Sequence, residues 1–351
     1  MIAGPKKRWS MSKKFISEFN SNDKIDSFFQ LRKKNLKLTK KDKPYLELTL
    51  ADKTGTIEGR LWDDAEQFNS SADTGDIVNI KGVVDKFREE KQIKVDFMAK
   101  AEEADFDRSD MVRIAENMDE VKEKISSYLT GFRDPWIKKL VESFLDDDHL
   151  MKEFSLGVGG KSWHNAYVGG LMEHTYEAMF IVDKMCDLYP EADRELAVFG
   201  AFIHDIGKVF ELDARKMEYT VLGGLIGHIG IGHKMLVGKI SGIEGFPQDT
   251  AMKLEHIILS HHGKYEQQSP VLPKTLEATI VYQTDELVSQ ANAVKEIMLS
   301  QSAEGREWSN FVVIKNRKYY LGGCSQSAAA EKNGISGEKE NIEKEIKGSL
   351  F

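Results

Sequence analysis

The chain of 351 residues is poor in cysteine and has no excess of positive charge. Its 2 cysteines, Cys186 and Cys324, are too few and too far apart for a disulfide framework. Such low cysteine use is typical of the reducing cytoplasm, where we expect the protein to reside. A net charge of −8 gives no general attraction to nucleic acid or to an anionic membrane. Any polyanion must therefore bind a local patch.

Targeting segments are also missing from the sequence pattern. Residues 1–9 are basic but lack the apolar stretch of a signal peptide, so we expect no export. No window approaches the roughly 20 apolar residues that cross a bilayer, and we therefore predict no membrane span. What the chain does have is 41% hydrophobic residues, which is enough for the cores of two domains.

An alternation of apolar and polar residues with period two predicts a small β domain between about residues 24 and 104. The predicted strands cover residues 25–38, 44–51, 54–62, 76–87 and 91–99, with a short helix at 63–71. Three strands, a helix and two strands is the order of the OB-fold. The face that strands 2 and 3 form in this fold often binds single-stranded nucleic acid.

The alternation along strands 2 and 3 places Tyr45, Arg60 and Trp62 outside the barrel. These side chains would form a platform on which bases stack; alternatively, Trp62 packs on the short helix and Tyr45 is an ordinary strand residue. Residues 32–43 form the most basic stretch of the chain, and their loop lies beside the same face. We expect its lysines to contact phosphates rather than only solvent. The lysines concerned are Lys40, Lys41 and Lys43.

From about residue 106 to 299 the apolar period is helical. The predicted helices cover residues 109–128, 135–145, 162–188, 193–208, 220–240, 250–260 and 274–300. A hairpin at 311–320 and a polar tail, which we expect to be disordered, follow them. The predicted division is an N-terminal extension (1–22), an OB-fold domain (23–105), linking helices (106–150), a helical domain (151–304), a C-terminal hairpin (305–323) and a disordered tail (324–351).

The histidines are concentrated in the helical part, where all 9 lie between His149 and His262. His204 and Asp205 end an apolar run, and an imidazole beside a carboxylate offers two ligands for a divalent metal. Lys208 follows on the same helical face as His204. An isolated His-Asp pair is more often a helix-end hydrogen bond. The interpretation of this pair as a metal site therefore depends on the other histidines.

In chain order, the candidate metal ligands are His174, His204, Asp205, His228, His261, His262 and Asp285. This order on a helical domain resembles the HD superfamily of metal-dependent phosphohydrolases. The stretches 168–175, 204–208, 224–229, 260–263 and 273–278 further resemble the YhaM-type 3′→5′ exoribonucleases, which pair an N-terminal OB-fold with an HD domain. The resemblance covers about residues 13–323. It implies an all-β OB-fold barrel followed by an all-α HD helical bundle.

The resemblance also implies a centre of two divalent metal ions that Asp205 bridges. One ion would take His174, His204, Asp205 and Asp285, and the other would take Asp205, His228, His261 and His262. Two such ions activate a bridging water and stabilise the leaving oxyanion, while Lys208 would neutralise phosphate charge. Mixed imidazole and carboxylate ligation favours Mn²⁺, with Fe²⁺, Co²⁺ and Mg²⁺ as alternatives.

The remaining histidines receive weaker assignments. The resemblance favours a substrate-phosphate role for His164 in catalysis, with a structural histidine as the alternative. We interpret His149, His233 and His256 as structural, and Cys186 as a small buried residue.

Three functions stay open at this point. The first is a metal-dependent exonuclease that degrades single-stranded RNA, or also DNA, from the 3′ end, with the OB-fold delivering the strand. The second is an HD hydrolase of small nucleotides, although such an enzyme has little need of an OB-fold. The third is a non-catalytic nucleic-acid-binding or replication factor, against which the full ligand set argues. The expected partner is single-stranded nucleic acid and not a membrane, and homo-oligomerisation stays open.

Overall fold

The computed structural model describes residues 14–87, 90–107, 110–115, 117–160, 165–214, 217–301, 307–312 and 315–322. The chain forms two compact units that divide between Ser289 and Gln290. The N-terminal extension up to residue 13, His164 and the predicted tail 324–351 lie outside the described residues.

In the described part of the first unit, strands close a barrel in the order β1-β2-β3-β5-β4. They are β1 (Lys24–Leu38), β2 (Pro44–Asp52), β3 (Gly55–Leu61), β4 (Ile77–Phe87) and β5 (Glu90–Lys100), with helix α1 (Ala65–Asn69) between β3 and β4. The contact between β3 and β5 is parallel, and the other pairings are antiparallel. This arrangement confirms the OB-fold, and each predicted strand end lies within one residue of the observed end.

The period-two alternation explains how the barrel fills its interior. Leu46, Leu48 and Leu50 of β2 are fully buried, and Ile57 and Leu61 of β3 join the same core. The intervening residues face outward, as expected for a strand with one buried side. Burial of these branched side chains contributes about 1.5–3 kcal/mol each to the stability of the barrel.

Helices form most of the rest of the first unit, and the last of them continues past Ser289, where this unit ends. They are α2 (Met118–Thr130), α3 (Pro135–Leu145), α4 (Asp148–Leu156), α5 (Gly170–Leu188), α6 (Arg194–Ile203), α7 (Lys208–Glu211), α8 (Val221–Ser241), α9 (Gln248–Ser260) and α10 (Leu276–Gln301). A small sheet of β6 (Leu212–Asp213) and β7 (Glu218–Tyr219) joins α7 to α8. Phe144 meets both Phe199 and Phe202 edge-to-face in the core of this bundle. The helical domain is therefore confirmed.

Helix starts are where the sequence prediction fails most. The helix predicted at 109–128 begins only at Met118, because Ile114 pairs with Val168 in an isolated β-bridge. The helix predicted at 162–188 begins at Gly170, since Gly169 has a φ of +83° and turns the chain. In contrast, α3 has its predicted bounds, and its N-cap Asp134 accepts hydrogen bonds from two backbone N–H groups of the first turn.

Two further helix predictions are wrong. The single helix predicted at 193–208 is two helices, because α6 ends at Ile203 and α7 begins at Lys208. Helix α4 is not predicted from the sequence, and its N-cap Asp147 accepts a hydrogen bond from Leu150 N at 3.1 Å. Its short length of 9 residues gives a helical period little room to show.

Helix α8 contradicts the expectation that no segment approaches the length of a membrane span. Among the described residues, Val221–Ser241 is long and apolar enough to cross a membrane by length and composition, with a mean hydropathy of 1.2 over its best window. Of that window, 28% is buried. The helix also contains His228, His233, Lys234 and Lys239, and these polar residues divide its apolar run in the sequence.

In the second unit, the predicted C-terminal hairpin is present only as two isolated antiparallel bridges within the described residues. Trp308 pairs with Tyr320, and Val312 pairs with Arg317. The Trp308 and Tyr320 rings meet edge-to-face with their centroids 5.3 Å apart.

Candidate metal centre

The helices of the first unit bring the predicted metal ligands to one place in the bundle. Among the described residues, one group of close ligand atoms consists of His174 (α5), His204 and Asp205 (end of α6) and Asp285 (α10). A second group consists of His228 (α8) with His261 and His262 (end of α9). Within each group the ligand atoms lie within 4.8 Å of one another.

Asp205 lies between the two groups. Its Oδ2 is 3.5 Å from His174 Nε2 and 3.4 Å from His204 Nε2. Its Oδ1 is 3.6 Å from His228 Nε2 and 3.5 Å from His261 Nε2. The two oxygens of one carboxylate therefore face different sets of imidazoles, which is the geometry that a bridging ligand requires.

Hydrogen bonds on the far edge of the rings direct three of the imidazoles. The Nδ1 atoms of His204, His261 and His262 lie 2.7–2.8 Å from the carbonyl oxygens of Ala201, Ile258 and Gln267. A carbonyl only accepts hydrogen bonds, so each Nδ1 carries the proton and donates it. Each Nε2 then presents a lone pair to the centre, which is the tautomer that binds metals.

The donor atoms fit divalent cations, as the contacts of the centre show. Within the described residues, Asp205 Oδ1 and His261 Nε2 have no hydrogen-bond partner although both are buried. The Nε2 atoms of His228 and His262 are 3.2 Å apart. A buried carboxylate oxygen and facing lone pairs are costly without a partner, and a cation relieves both. Imidazole mixed with carboxylate suits Mn²⁺ or Fe²⁺.

The charges around the centre keep its acids ionised. Burial raises the pKa of Asp205, but attraction to Lys208 and His204 outweighs burial and holds that pKa well below its usual value. The pKa of Asp285 is likewise lowered, against the effect of burial, by its hydrogen bond with His174. Both carboxylates are therefore ready to bind a cation at neutral pH.

The histidine pKa values respond to burial and to these acids. Burial, together with the neighbouring His261, lowers the pKa of His262 to about 4, so this ring is neutral at pH 7. Burial also lowers the pKa of His261. For His204, burial is outweighed by attraction to Asp205, and its pKa is raised. A cation bound between these residues would oppose that protonation.

Lys208 adds a fixed positive charge at the first position of α7. Its Nζ is 2.5 Å from Asp205 Oδ2, and its side chain is 11% exposed. Burial lowers the pKa of Lys208, but attraction to Asp205 and Asp285 outweighs burial and raises it. The ammonium group is thus charged and sits beside the carboxylate that joins the two ligand groups.

Glu211, which is not among the predicted site residues, contacts the second ligand group from outside. Its Oε1 is 3.0 Å from His228 Nδ1 and 3.0 Å from the backbone N of His228. The signal that could have found it is an acidic residue between the apolar Val209-Phe210 and Leu212. Such a position usually faces a core and needs a partner for its charge.

The histidines outside the two groups have other partners. His233 Nε2 is 2.7 Å from a carboxylate oxygen of Glu255, and His256 Nε2 accepts a hydrogen bond from Lys274 N at 2.9 Å. The His149 ring faces Phe210. Cys186 is buried, which raises the pKa of its thiol. The role assigned to His164 stays a prediction, since this residue is outside the described ranges.

On the barrel, the predicted platform residues lie on one face. The rings of Tyr45 and Trp62 stack with their centroids 4.7 Å apart and their planes 20° apart. The guanidinium of Arg60 lies 4.9 Å from the centroid of the Phe87 ring, and Phe87 is not among the predicted platform residues. Trp62 therefore packs on Tyr45. Contact of these residues with nucleic acid stays a prediction.

The three predicted phosphate-contacting lysines are all exposed. Lys40 and Lys41 precede β2 in the turn after β1, and Lys43 is in the same turn. The Nζ of Lys43 is 2.7 Å from Asp63, a pair in which both side chains are mostly exposed. Such a surface pair contributes little to stability and is easily exchanged for another partner.

Comparison with known proteins agrees with both domains. Residues 171–289 match the HD domain family, and residues 30–100 match a family described as an OB-fold nucleic acid binding domain. Over 332 residues the chain is 30% identical to the 3′-5′ exoribonuclease YhaM of Geobacillus sp. (strain WCH70). The match covers 92% of this chain and 99% of that protein. The chain belongs to the YhaM family. The predicted resemblance to YhaM-type proteins is therefore confirmed over both domains.

One solved structure is also similar to part of this chain. It is the second OB-fold domain of replication protein A from Methanococcus maripaludis, with 26% sequence identity. The match covers 26% of this chain and 95% of that one, with a TM-score of 0.22. That score is too low for a comparison of the two folds, and the OB-fold of this YhaM-family protein rests on its own strand order.

Proposed function

We propose that this protein is a metal-dependent 3′→5′ exoribonuclease that hydrolyses the phosphodiester bonds of single-stranded RNA, in the cytoplasm. The observation that carries the proposal is Asp205, whose two carboxylate oxygens face two separate groups of imidazoles at 3.4–3.6 Å. The activity named for the YhaM relative, which is similar over 92% of the chain, supports the substrate class. Single-stranded DNA is a second substrate in this proposal.

The proposed centre holds two cations, with Mn²⁺ as the preferred metal. His174, His204, Asp205 and Asp285 would hold one, and Asp205, His228, His261 and His262 would hold the other. When bound, the pair would supply a water of low pKa and a clamp for the attacking and leaving oxygens.

The side chains of the protein itself supply orientation and charge. Asp205 would fix the spacing of the two cation sites because its two oxygens cannot move independently. The ammonium of Lys208, 2.5 Å from Asp205, is close enough to stabilise negative charge that develops on a phosphate at the centre. The carbonyl acceptors of His204, His261 and His262 hold the rings in the ligand tautomer before a metal arrives.

In this proposal the barrel binds the strand. The stacked pair of Tyr45 and Trp62 offers a surface for bases, and Arg60 adds a cation beside it. Lys40, Lys41 and Lys43 lie in the adjoining turn and would contact phosphates.

The test supplies Mn²⁺ and three kinds of substrate to the full-length protein. We expect a single-stranded RNA with a 5′ label to be shortened in single-nucleotide steps, and deoxynucleoside triphosphates and cyclic nucleotides to stay intact. Hydrolysis of the nucleotides without shortening of the strand would identify a small-nucleotide hydrolase instead. Strand binding with no hydrolysis of any substrate would identify a non-catalytic binding factor. Treatment with a chelator, followed by Mn²⁺, shows whether the activity depends on the metal.

A further inference from the structure

Glu211 holds His228 at two atoms at once. Its Oε1 is 3.0 Å from both the ring Nδ1 and the backbone N of His228. The residue is buried, with 8% exposure.

A break in α8 explains why His228 needs this partner. Gly227 has φ 72° and ψ 159°, which is not a helical conformation. His228 therefore begins a second helical segment, and the first N–H groups of a helix have no carbonyl partner from the preceding turn. A carboxylate at such an N-terminus accepts the free N–H and also meets the positive end of the helix dipole. Glu211 thus caps the second segment from outside the helix.

The backbone of Glu211 is fixed against the first segment of α8. Its carbonyl oxygen accepts a hydrogen bond from Thr220 N at 2.9 Å. A Cβ at Gly223 would come 2.1 Å from that same oxygen, so only glycine permits the approach. Because Glu211 is anchored on one side of the break and bonded to His228 on the other, it sets the geometry across the break.

We propose that Glu211 is a positioning residue that sets the tautomer and the direction of the His228 ring. By accepting the proton of Nδ1, the carboxylate leaves Nε2 with a lone pair that faces His262 Nε2 at 3.2 Å. His204, His261 and His262 use backbone carbonyls for this purpose, whereas His228 uses a charged side chain. The meaning of this role for catalysis rests on the proposed function, but the tautomer itself does not.

The first test is nuclear magnetic resonance of the metal-free, full-length protein labelled with ¹⁵N-histidine. Correlations between ring nitrogens and ring protons report the tautomer, and His228→Asn assigns the signals. We expect the Nδ1–H tautomer of His228 in the wild type and in Glu211→Gln, whose amide oxygen still accepts the bond. Glu211→Ala should give a mixture of tautomers. An unchanged, pure Nδ1–H tautomer in Glu211→Ala would overturn the proposal.

The second test is Mn²⁺ binding, measured by titration. Outer hydrogen-bond partners of metal-bound histidines typically contribute 10-fold to 100-fold in affinity, so Glu211→Ala should weaken Mn²⁺ binding at the site that includes His228 by roughly that factor. Glu211→Gln should recover most of the loss. The matched control is Glu255→Ala. It removes the 2.7 Å contact between Glu255 and His233, a histidine that lies on α8 as His228 does but belongs to neither ligand group, and it should leave the Mn²⁺ affinity unchanged. Equal effects of Glu211→Ala and Glu255→Ala would refute the positioning role.

Thermal unfolding of each variant separates positioning from loss of the fold. If Glu211→Ala does not fold, Glu211→Met keeps most of the side-chain volume without a comparable acceptor and gives the same comparison. A protein that shows the expected tautomer change but hydrolyses no strand would refute the proposed function and leave the role of Glu211 intact. If the protein degrades strands but the His228 tautomer and the Mn²⁺ affinity do not change in Glu211→Ala, the role of Glu211 is refuted and the proposed function stands.

Discussion

The ring of Tyr282 lies against the α-carbon of Gly263, so closely that a Cβ at Gly263 would come 2.1 Å from the ring. Gly263 also has a φ of +70°, which side chains with a Cβ rarely adopt. It directly follows His261 and His262, and its backbone N donates to Ser260 O at 2.8 Å. The turn that presents two ligands therefore depends on a glycine at this position.

Gly263→Ala should destabilise the protein by about 2–4 kcal/mol, because overpacking against Tyr282 and backbone strain add together. Urea unfolding measures the change in the free energy of unfolding. We also expect weaker Mn²⁺ binding, since the turn carries His261 and His262. Gly238→Ala in α8 is the control, since among the described residues no atom beyond its chain neighbours and the nearby backbone of its own helix lies within 4 Å of its Cβ position. In the control, the free energy of unfolding should rise by up to about 1 kcal/mol. Equal stability of both variants would contradict the prediction.

The bridging role of Asp205 predicts a difference between two similar substitutions. Asp205→Asn removes charge from both proposed cation sites and should reduce hydrolysis to below a few per cent with loss of both metals. Asp285→Asn changes only the first ligand group, so this variant should lose the one metal ion that the group would hold. Metal analysis of the purified variants gives the two stoichiometries, and circular dichroism checks the fold. Retention of metal-dependent hydrolysis by Asp205→Asn would exclude a dinuclear centre bridged by this residue.

The barrel lysines predict a change in the salt dependence of strand binding. Each phosphate contact with a single strand contributes about −0.7 to the slope of log affinity against log salt concentration. Changing Lys40, Lys41 and Lys43 to Ala should flatten that slope by roughly 2 and leave hydrolysis of a dinucleotide nearly unchanged. Fluorescence anisotropy at several salt concentrations measures the slope. An unaltered slope would mean that this turn is only a solvated surface.

A substitution of Trp62 should change the affinity for a strand but not the salt dependence of binding, because the indole ring carries no charge. Its contact with Tyr45 at 4.7 Å forms the proposed stacking surface. Trp62→Ala should reduce the affinity for a single strand by about 1–3 kcal/mol with little change of the salt slope. The same anisotropy titrations measure both quantities. A variant that binds as the wild type does would remove Trp62 from the proposed interface.

The sequence predicts the barrel well because one physical pattern determines it. One face of each strand is buried, so Leu46, Leu48 and Leu50 must alternate with outward residues, and that alternation gives the strand bounds. Helix starts depend on single backbone conformations that the apolar period does not contain. Gly169 at a φ of +83° and the bridge of Ile114 to Val168 are such features.

In the candidate site, too, some residues can be predicted from the sequence pattern and others depend on contacts that only the fold creates. Five of the seven proposed ligands are histidines, which are visible in the sequence because imidazoles in apolar helical segments need a polar partner. Asp205 is visible as the neighbour of His204, and the assignment of the full set, including Asp285, rests on the resemblance to the HD superfamily. Glu211 is not visible in that way, since its contact with His228 depends on the break at Gly227. Phe87 is not predicted either, because its contact with Arg60 joins strands that are distant in the sequence. Contacts across the fold are what a periodic pattern does not encode.

The polarity of degradation tests the central proposal most directly. The measurement uses three single-stranded RNA substrates of one sequence with Mn²⁺: one blocked at the 3′ end, one blocked at the 5′ end, and one closed into a circle. If the centre around Asp205 is that of a 3′→5′ exoribonuclease, the strand blocked at the 5′ end is shortened, and the other two stay intact. Rapid cleavage of the circle, or shortening of the strand blocked at the 3′ end, would contradict this function.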